Sequence, residues 1–384
     1  MDAQPPLTAI DLFSGAGGFS AGLAHAGFEV IGAVDAWPVA VETYGLNFRH
    51  PALRADVGTL TAAAFWRGIR REPVPVDLVV GGPPCQGFSI QRRGEDEDPR
   101  NDLVFAFGRF VCEVRPRMFI MENVPGLLGP RGRKVLKRFG ATLAHGGYLY
   151  RAALINAADY GVPQRRRRVL CFGWRTADVP PFDPPPATHA EGIFRTVRDA
   201  IGDLPPPAPD RASASASDPL HYRMRLSKKN LERLRLIPPG KGFESLPVDL
   251  RVECHKQGAD RIGHRNVYGR LDADAPSATI TARFDSFTRG MFAHPSEDRN
   301  ITLREGARLQ TFDDDFRFKG TQEEITALIG NAVPPLLAEV MGVAVATHLR
   351  GVARATPGGA AHRRSSRAEH LPQLELFGPA GAAG

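Results

Sequence analysis

In the first half of the chain, short apolar runs alternate with helical patterns, and that alternation constrains the fold more than any other feature. Thr8–Phe13 and Glu29–Val34 read as buried strands, separated by a small-residue helical stretch, Phe19–Ala26, that Gly27 closes. Asp77–Gly81 and Met118–Glu122 read as two further strands, with a helix over Leu103–Val114 between them. Strand, helix, strand in repetition predicts an α/β fold with a doubly wound, mostly parallel sheet. The second half is interrupted by two proline-rich stretches, Val179–Pro186 and Pro205–Pro219, the latter carrying a Ser-Ala repeat. Helical patterns return at Leu303–Leu309, Glu323–Leu328 and Pro335–Leu349, and Gly351–Gly384 reads as a disordered tail. The expected organisation is a first domain over 1–173 completed by 321–350, with a smaller second domain over 174–320.

With 384 residues, 42% of them hydrophobic and 24% charged, the chain can bury a proper core. Met1–Asp11 has an acid and two prolines in place of a basic region, and no apolar run approaches the roughly 18 residues of a spanning helix, so a cytoplasmic protein without a membrane partner is expected. Cys85, Cys112, Cys171 and Cys254 are widely separated and form no C-x-x-C pair, which argues against a metal site or a disulfide framework. Residues 221–270 hold twelve Lys or Arg against five acids, an excess equal to the whole chain's +7. A polyanion partner is the natural reading of that segment, with a solvated basic face as the alternative.

Asp11-Leu12-Phe13-Ser14-Gly15-Ala16-Gly17-Gly18 follows the first strand and opens the first helix, where glycines let a ligand approach the backbone. Its G-x-G-G spacing is not the G-x-G-x-x-G of dinucleotide enzymes, which opposes a nicotinamide dehydrogenase. Asp35, ending the second strand, is placed to accept bonds from ribose hydroxyls. Gly81-Gly82-Pro83-Pro84-Cys85-Gln86-Gly87-Phe88-Ser89 sets a thiol in a rigid turn past the third strand, and the charged loop Gln91–Arg100 after it reads as a mobile lid. Met121–Pro125 ends another strand at the same edge and puts the Glu122 carboxylate near that thiol. In Gln164–Arg168 a strand would put Arg166 and Arg168 on one face.

Taken in order, these segments resemble the cytosine-C5 DNA methyltransferases. The resemblance rests on D-L-F-S-G-A-G-G, P-P-C-Q-G-F-S, Glu122-Asn123-Val124, the Q-x-R-x-R pattern of Gln164–Arg168, R-E-G-A-R-L-Q-T-F from Arg304, and Gly330-Asn331-Ala332-Val333-Pro334. Two departures are Asp313, where the family often has Pro, and Leu328, where it often has Gln. The resemblance implies S-adenosylmethionine as cofactor, held by Phe13, Gly15, Gly17, Gly18, Asp35, Asp56 and Asn331. It also implies a target-recognition region over the basic segment, two domains facing each other across a DNA cleft, and a Rossmann-like catalytic domain. Cys85 would be the nucleophile and Glu122 the acid, with Arg166 and Arg168 on the flipped base or a phosphate, and Pro84, Asn123 and Gln164 lining its pocket.

The implied reaction is methyl transfer to C5 of a flipped-out cytosine in double-stranded DNA, as in restriction-modification, by a protein expected to be a monomer. A transfer-RNA cytosine methyltransferase would share the chemistry, but the long segment between Phe172 and Leu303 favours DNA; a catalytically silent DNA-binding protein would have no need of Cys85 and Glu122. In the tail, Gln373-Leu374-Glu375-Leu376-Phe377 resembles the Q-L-x-L-F peptide by which many bacterial DNA enzymes dock on the replication sliding clamp, with a tail folded back on the enzyme as the alternative.

Overall fold

The apolar runs of the first half become strands of one sheet. The computed structural model describes residues 5–84, 102–253 and 267–352 and the backbone of 376–377. Strand and helix alternate through β1 (Leu7–Leu12), α1 (Gly18–His25), β2 (Phe28–Asp35), α2 (Pro38–Asn47), β3 (Ala52–Arg54), α3 (Ala62–Gly68), β4 (Leu78–Gly81), α4 (Asp102–Val114) and β5 (Met118–Asn123). After α5 (Pro130–His145) come β6 (Tyr148–Asn156) and β7 (Arg167–Arg175). The later elements are α6 (Val197–Ile201), α7 (Lys228–Arg235), β8 (Gly269–Arg270), β9 (Met291–Ala293), α8 (Leu303–Leu309), α9 (Gln322–Asn331), α10 (Pro335–Arg350) and β10 (Leu376–Phe377).

The chain divides into two units. The first comprises Met1–Ile155, Arg167–Pro186 and Ala338–Gly384. Its sheet has the order β10-β6-β7-β5-β4-β1-β2-β3, parallel from β5 to β3, with β7 antiparallel to β5. β1, β4 and β5 are apolar and almost wholly buried, as strands covered by helices on both faces must be. On one face, Phe107 and Phe110 of α4 and Phe139 of α5 pack with Phe119 of β5, with Phe119 edge-on to both Phe107 and Phe139. The tail expected to be without structure contributes β10, whose Leu376 and Phe377 pair in parallel with Ala152 and Ala153 of β6.

The second unit comprises Asn156–Arg166 and Ala187–Leu337, so α9 belongs to it, whereas the sequence pattern assigned that helix to the first unit. Regular structure is sparse in it, and arginine side chains take over the satisfaction of backbone carbonyls. Arg270, 5% exposed, donates to the carbonyls of Leu234, Ile237, His294 and Glu297 and to the Asp298 carboxylate. Buried Arg299 forks both oxygens of Glu305, which is itself the N3 member of the capping box that starts α8 at Thr302. Gln322–Arg350 is long and apolar enough to cross a membrane by composition, against the expectation that no run approaches that length; it is broken at Ala332–Pro334 and mostly buried.

α10 completes the first unit from the far end of the sequence. Gly342 lies against Leu23 of α1 and against Ala26, which caps it. Buried Arg117, just before β5, donates through Nη2 to the carbonyls of Leu349 (3.2 Å) and Val352 (2.9 Å), while its Nη1 stands 3.6 Å from the buried Asp77 carboxylate. Asp77 also accepts from the Thr8 amide at 2.9 Å, so β1, the approach to β4, β5 and the end of α10 converge on one guanidinium. A cation at a helix C-terminus is favoured by the helix dipole as well. Arg117→Met keeps the apolar stem but removes this cation from Asp77 and the donors from α10; we expect a loss of about 3 kcal/mol, measured as a lower urea midpoint.

Candidate active site

The glycine loop is built around Asp35. β1 delivers the chain to the carboxyl edge of the sheet, where Phe13 and Gly15 take left-handed backbone conformations (φ 56° and 54°). A non-glycine residue held there is unusual and marks a constrained turn. The Asp35 carboxylate accepts the Gly15 amide on one oxygen and the Trp37 amide on the other, both at 2.8 Å, sewing the loop to the end of β2. Burial raises the Asp35 pKa, and the amides of Trp37 and Gly15 work against that rise. Gly17 has no room for a side chain, since a Cβ would collide with the Phe48 ring and press on Tyr44. Apart from its chain neighbours, no atom of the described residues lies within 4 Å of where a Cβ on Gly15 would be, so among them the loop has an open side. Gly18 starts α1, and exposed Asp56 caps the turn after β3 by accepting the Gly58 amide at 2.8 Å. Asn331, exposed at the end of α9, belongs to the second unit.

β4 and β5 end side by side at the same edge. Asn123 donates from Nδ2 to the Pro83 carbonyl (3.1 Å) and accepts the Val124 amide (2.8 Å), so its side chain ties the Pro-Pro turn to the end of β5. Pro84 is exposed at the end of the described turn; Cys85 and the expected lid Gln91–Arg100 lie outside the described residues. Glu122 pairs through Oε1 with Arg168 Nε at 2.9 Å, across the antiparallel β5–β7 ladder. Its Oε2 would stand 3.3 Å from a Cβ on Gly82, next to the Pro-Pro turn.

The remaining expected site residues have other work. Arg166, 1% exposed, precedes β7 and clusters with the second unit; its guanidinium donates to the carbonyls of Ile280, Gly330 and Ala332 at 2.9–3.0 Å. Gln164, fully buried, donates to the Leu309 carbonyl and to Gln310 Oε1, and accepts the Ile280 amide. These two side chains fasten the Gly330–Ala332 segment and α8 within the second unit. In the basic segment 221–270, Arg233, Arg251 and Arg270 are also spent on carbonyls, and Arg223 and Arg235 pair with Glu297 and Asp298. Lys256, Arg261 and Arg265 lie outside the described residues.

The profile of the C-5 cytosine-specific DNA methylases matches residues 7–346. The chain belongs to that family. It is 37% identical to the type II methyltransferase M1.HphI of Haemophilus parahaemolyticus, over 88% of this chain and 86% of that one. Against the type II methyltransferase M.AgeI of Thalassovita gelatinovora it is 33% identical, over 87% and 98%. Among solved structures, a prophage-encoded protein of E. coli assigned as a DNA modification methyltransferase superposes with a TM-score of 0.69 at 28% identity, covering 90% of this chain and 99% of that one. A Spodoptera frugiperda DNMT2 structure shares the fold at 17% identity, with a TM-score of 0.61.

Beneath the methylase's glycine loop runs a buried polar chain that no sequence motif marks as a unit. Ser20 donates to Asp11 at 2.7 Å, Ser20 and Tyr44 hydroxyls meet at 2.6 Å, and Tyr44 meets His50 Nε2 at 2.6 Å. It ties α1 and α2 to the end of β1. The other Asp11 oxygen is buried with no hydrogen-bond partner, and burial pushes the Asp11 pKa from 3.8 to about 7 despite the Ser20 hydrogen bond. The folded protein thus holds this proton where the unfolded chain has lost it, so the associated stability is full below about pH 4 and is lost as pH rises through 7. Asp11→Asn should flatten that fall; denaturant midpoints at pH 5, 6, 7 and 8 for both proteins measure it, and parallel curves would overturn the assignment.

Proposed function

We propose that the methylase transfers a methyl group from S-adenosylmethionine to C5 of a cytosine flipped out of duplex DNA at a specific sequence, through a covalent bond between Cys85 and C6. The observation that carries this reading is the Asn123–Pro83 hydrogen bond, because it ties the turn leading to Cys85 to the strand end that carries Glu122. Phe13, Gly15, Gly17, Gly18, Asp35 and Asp56 would hold the cofactor. The open side of Gly15 and the partly accessible Asp35 and Asp56 carboxylates fit a ligand with ribose hydroxyls and a backbone-sized approach. When bound, that cofactor supplies an electrophilic methyl group.

C5 of cytosine is a weak nucleophile, and the protein's task is to activate it. Addition of the Cys85 thiolate at C6 pushes electrons onto N3, where a proton from Glu122 gives an enamine able to attack from C5. The same carboxyl accepts a bond from the N4 amine. Arg168 fixes the orientation of Glu122 through Oε1. Arg166 contributes by holding the Gly330–Ala332 carbonyls, a positioning role. Once C5 carries the methyl group, loss of the C5 proton, departure of the Cys85 thiolate and return of the N3 proton to Glu122 restore the aromatic ring. The base must leave the stack to meet these groups, at a cost of a few kcal/mol. The type II methyltransferase relatives support a role in restriction-modification, and the substrate would be the cell's own DNA in the cytoplasm. Cys85→Ala should abolish incorporation of labelled methyl into DNA while duplex binding persists. DNA with 5-fluorocytosine at the target should be trapped as a denaturant-resistant adduct by the wild type and not by the variant, because fluorine replaces the proton that must leave.

For the tail we propose capture of Gln373, Leu374, Leu376 and Phe377 by the replication sliding clamp, in competition with the pairing of Leu376–Phe377 against β6. A tether of this kind raises the local concentration of the methylase on newly copied DNA without altering its active site. A peptide spanning Pro372–Pro379 should bind purified clamp with at least high-micromolar affinity and lose it on Leu376→Ala or Phe377→Ala; absence of binding leaves the edge strand as the role of this segment.

A further inference from the structure

α5 breaks the local rules for a stable surface helix. Its apolar face, Val135, Leu136, Phe139 and Leu143, is buried, while Arg131, Arg133, Lys134, Lys137 and Arg138 are all exposed on the other. The helix contains no acid. Arg133 and Lys137, like Lys134 and Arg138, are four residues apart, the spacing at which like charges repel along a helix. Arg131 and Arg133 sit in the first turn, where the helix dipole disfavours positive charge. Each effect is unfavourable, and a helix selected only for stability would carry acids at several of these positions. Violations of this kind, repeated along one face, are expected where function overrides stability.

The position of the helix indicates that function. β5 ends in Glu122 and Asn123, one short turn (Pro125–Leu128) follows, and α5 begins at Pro130, so its basic N-terminal half starts from the carboxyl edge where Glu122 stands. At 1.5 Å per residue, Lys137 and Arg138 lie about 10 Å further along the outside of the unit. Two of the guanidinium groups are oriented by partners that leave their charge intact: Arg138 stacks at 4.4 Å over Phe105, and Arg133 Nε donates to the Leu128 carbonyl.

We propose that the exposed face of α5 is a second DNA-contact surface of the methylase, binding backbone phosphates of the duplex that flanks the target cytosine. Resting on the reading of duplex DNA as the substrate, it adds a sequence-independent contact that positions the duplex without reading it. The surface lies entirely in the first unit, on an element separate from the basic segment 221–270.

Lys137→Glu separates the two explanations of the face. The new glutamate stands four residues from Arg133 and three from Lys134, so it relieves repulsion, and the variant should melt at the same temperature as the wild type or higher. Duplex affinity should fall several-fold at low salt, and the slope of log affinity against log salt should drop by about 0.9 for each phosphate that is no longer neutralised. Adding Arg133→Gln should lower the slope further, with cofactor binding by calorimetry unchanged. A slope and affinity equal to those of the wild type, in a variant that is as stable or more so, would show a solvated face and overturn the proposal. An affinity loss of equal size at every salt concentration would overturn it too, since salt must screen any attraction between α5 and a phosphate. A wild type with no salt-dependent duplex binding would overturn the DNA reading itself.

Discussion

Parallel strands cannot be joined by a tight turn; each must be followed by a crossover that returns the chain to the same end of the sheet. In this methylase that requirement is met four times between β1 and β5, and it explains both the apolar character of the strands and the location of the candidate site. The strands, covered on both faces, carry few polar side chains along their length, and buried Asp11 is paired with Ser20. Every strand nonetheless ends at one edge, and there Phe13, Asp35, the Gly82–Pro84 turn and Glu122-Asn123 come together without being close in sequence. Two side chains hold this edge in register. Asp35 binds the glycine loop to β2, and Asn123 binds the Pro-Pro turn to β5.

The second unit solves a different problem. With a two-strand ladder and short helices, it leaves many carbonyls without a backbone donor, and buried carbonyls must be paired. Arginine is suited to this because one planar group donates in several directions. Arg166 and Arg270 each serve carbonyls from separate parts of the unit, and Arg233 and Gln164 each serve one. Positive charge that a tally assigns to DNA is in part internal scaffolding here, while a shorter run on α5 is presented to solvent.

How far these features can be read from the sequence follows from the range of the interactions. Thr8–Phe13, Glu29–Val34 and Met118–Glu122 differ from the observed β1, β2 and β5 by a residue or two, because a buried strand announces itself in consecutive residues. Leu303–Leu309 is the observed α8, since its capping box is also local. The motif residues Phe13, Gly15, Asp35, Glu122 and Asn123 lie at the edge where a doubly wound sheet puts them. The work of Arg166 and Gln164 was not legible, because their partners Ile280, Gly330 and Gln310 are far along the chain and two of the three enter only through backbone atoms. The Asp11–Ser20–Tyr44–His50 chain was hidden for a related reason: its members come from four separate segments and none is unusual alone. The basic rows of α5 were visible in the residues 131–138, but their meaning required knowing which face of the helix is buried.

The first unit is not a contiguous stretch of chain. Its sheet is laid down early, yet the helix that packs on α1 and accepts the Arg117 clasp comes after the whole second unit. During synthesis the order of completion is therefore the reverse of the order of beginning: the second unit emerges entire while the first still lacks a wall. Nascent chains must hold apolar surface on α1 until the last helix leaves the ribosome, a period in which chaperones have something to bind. A ribosome that stops before α10 releases a first unit without the helix that packs on α1 and without the carbonyls that Arg117 holds.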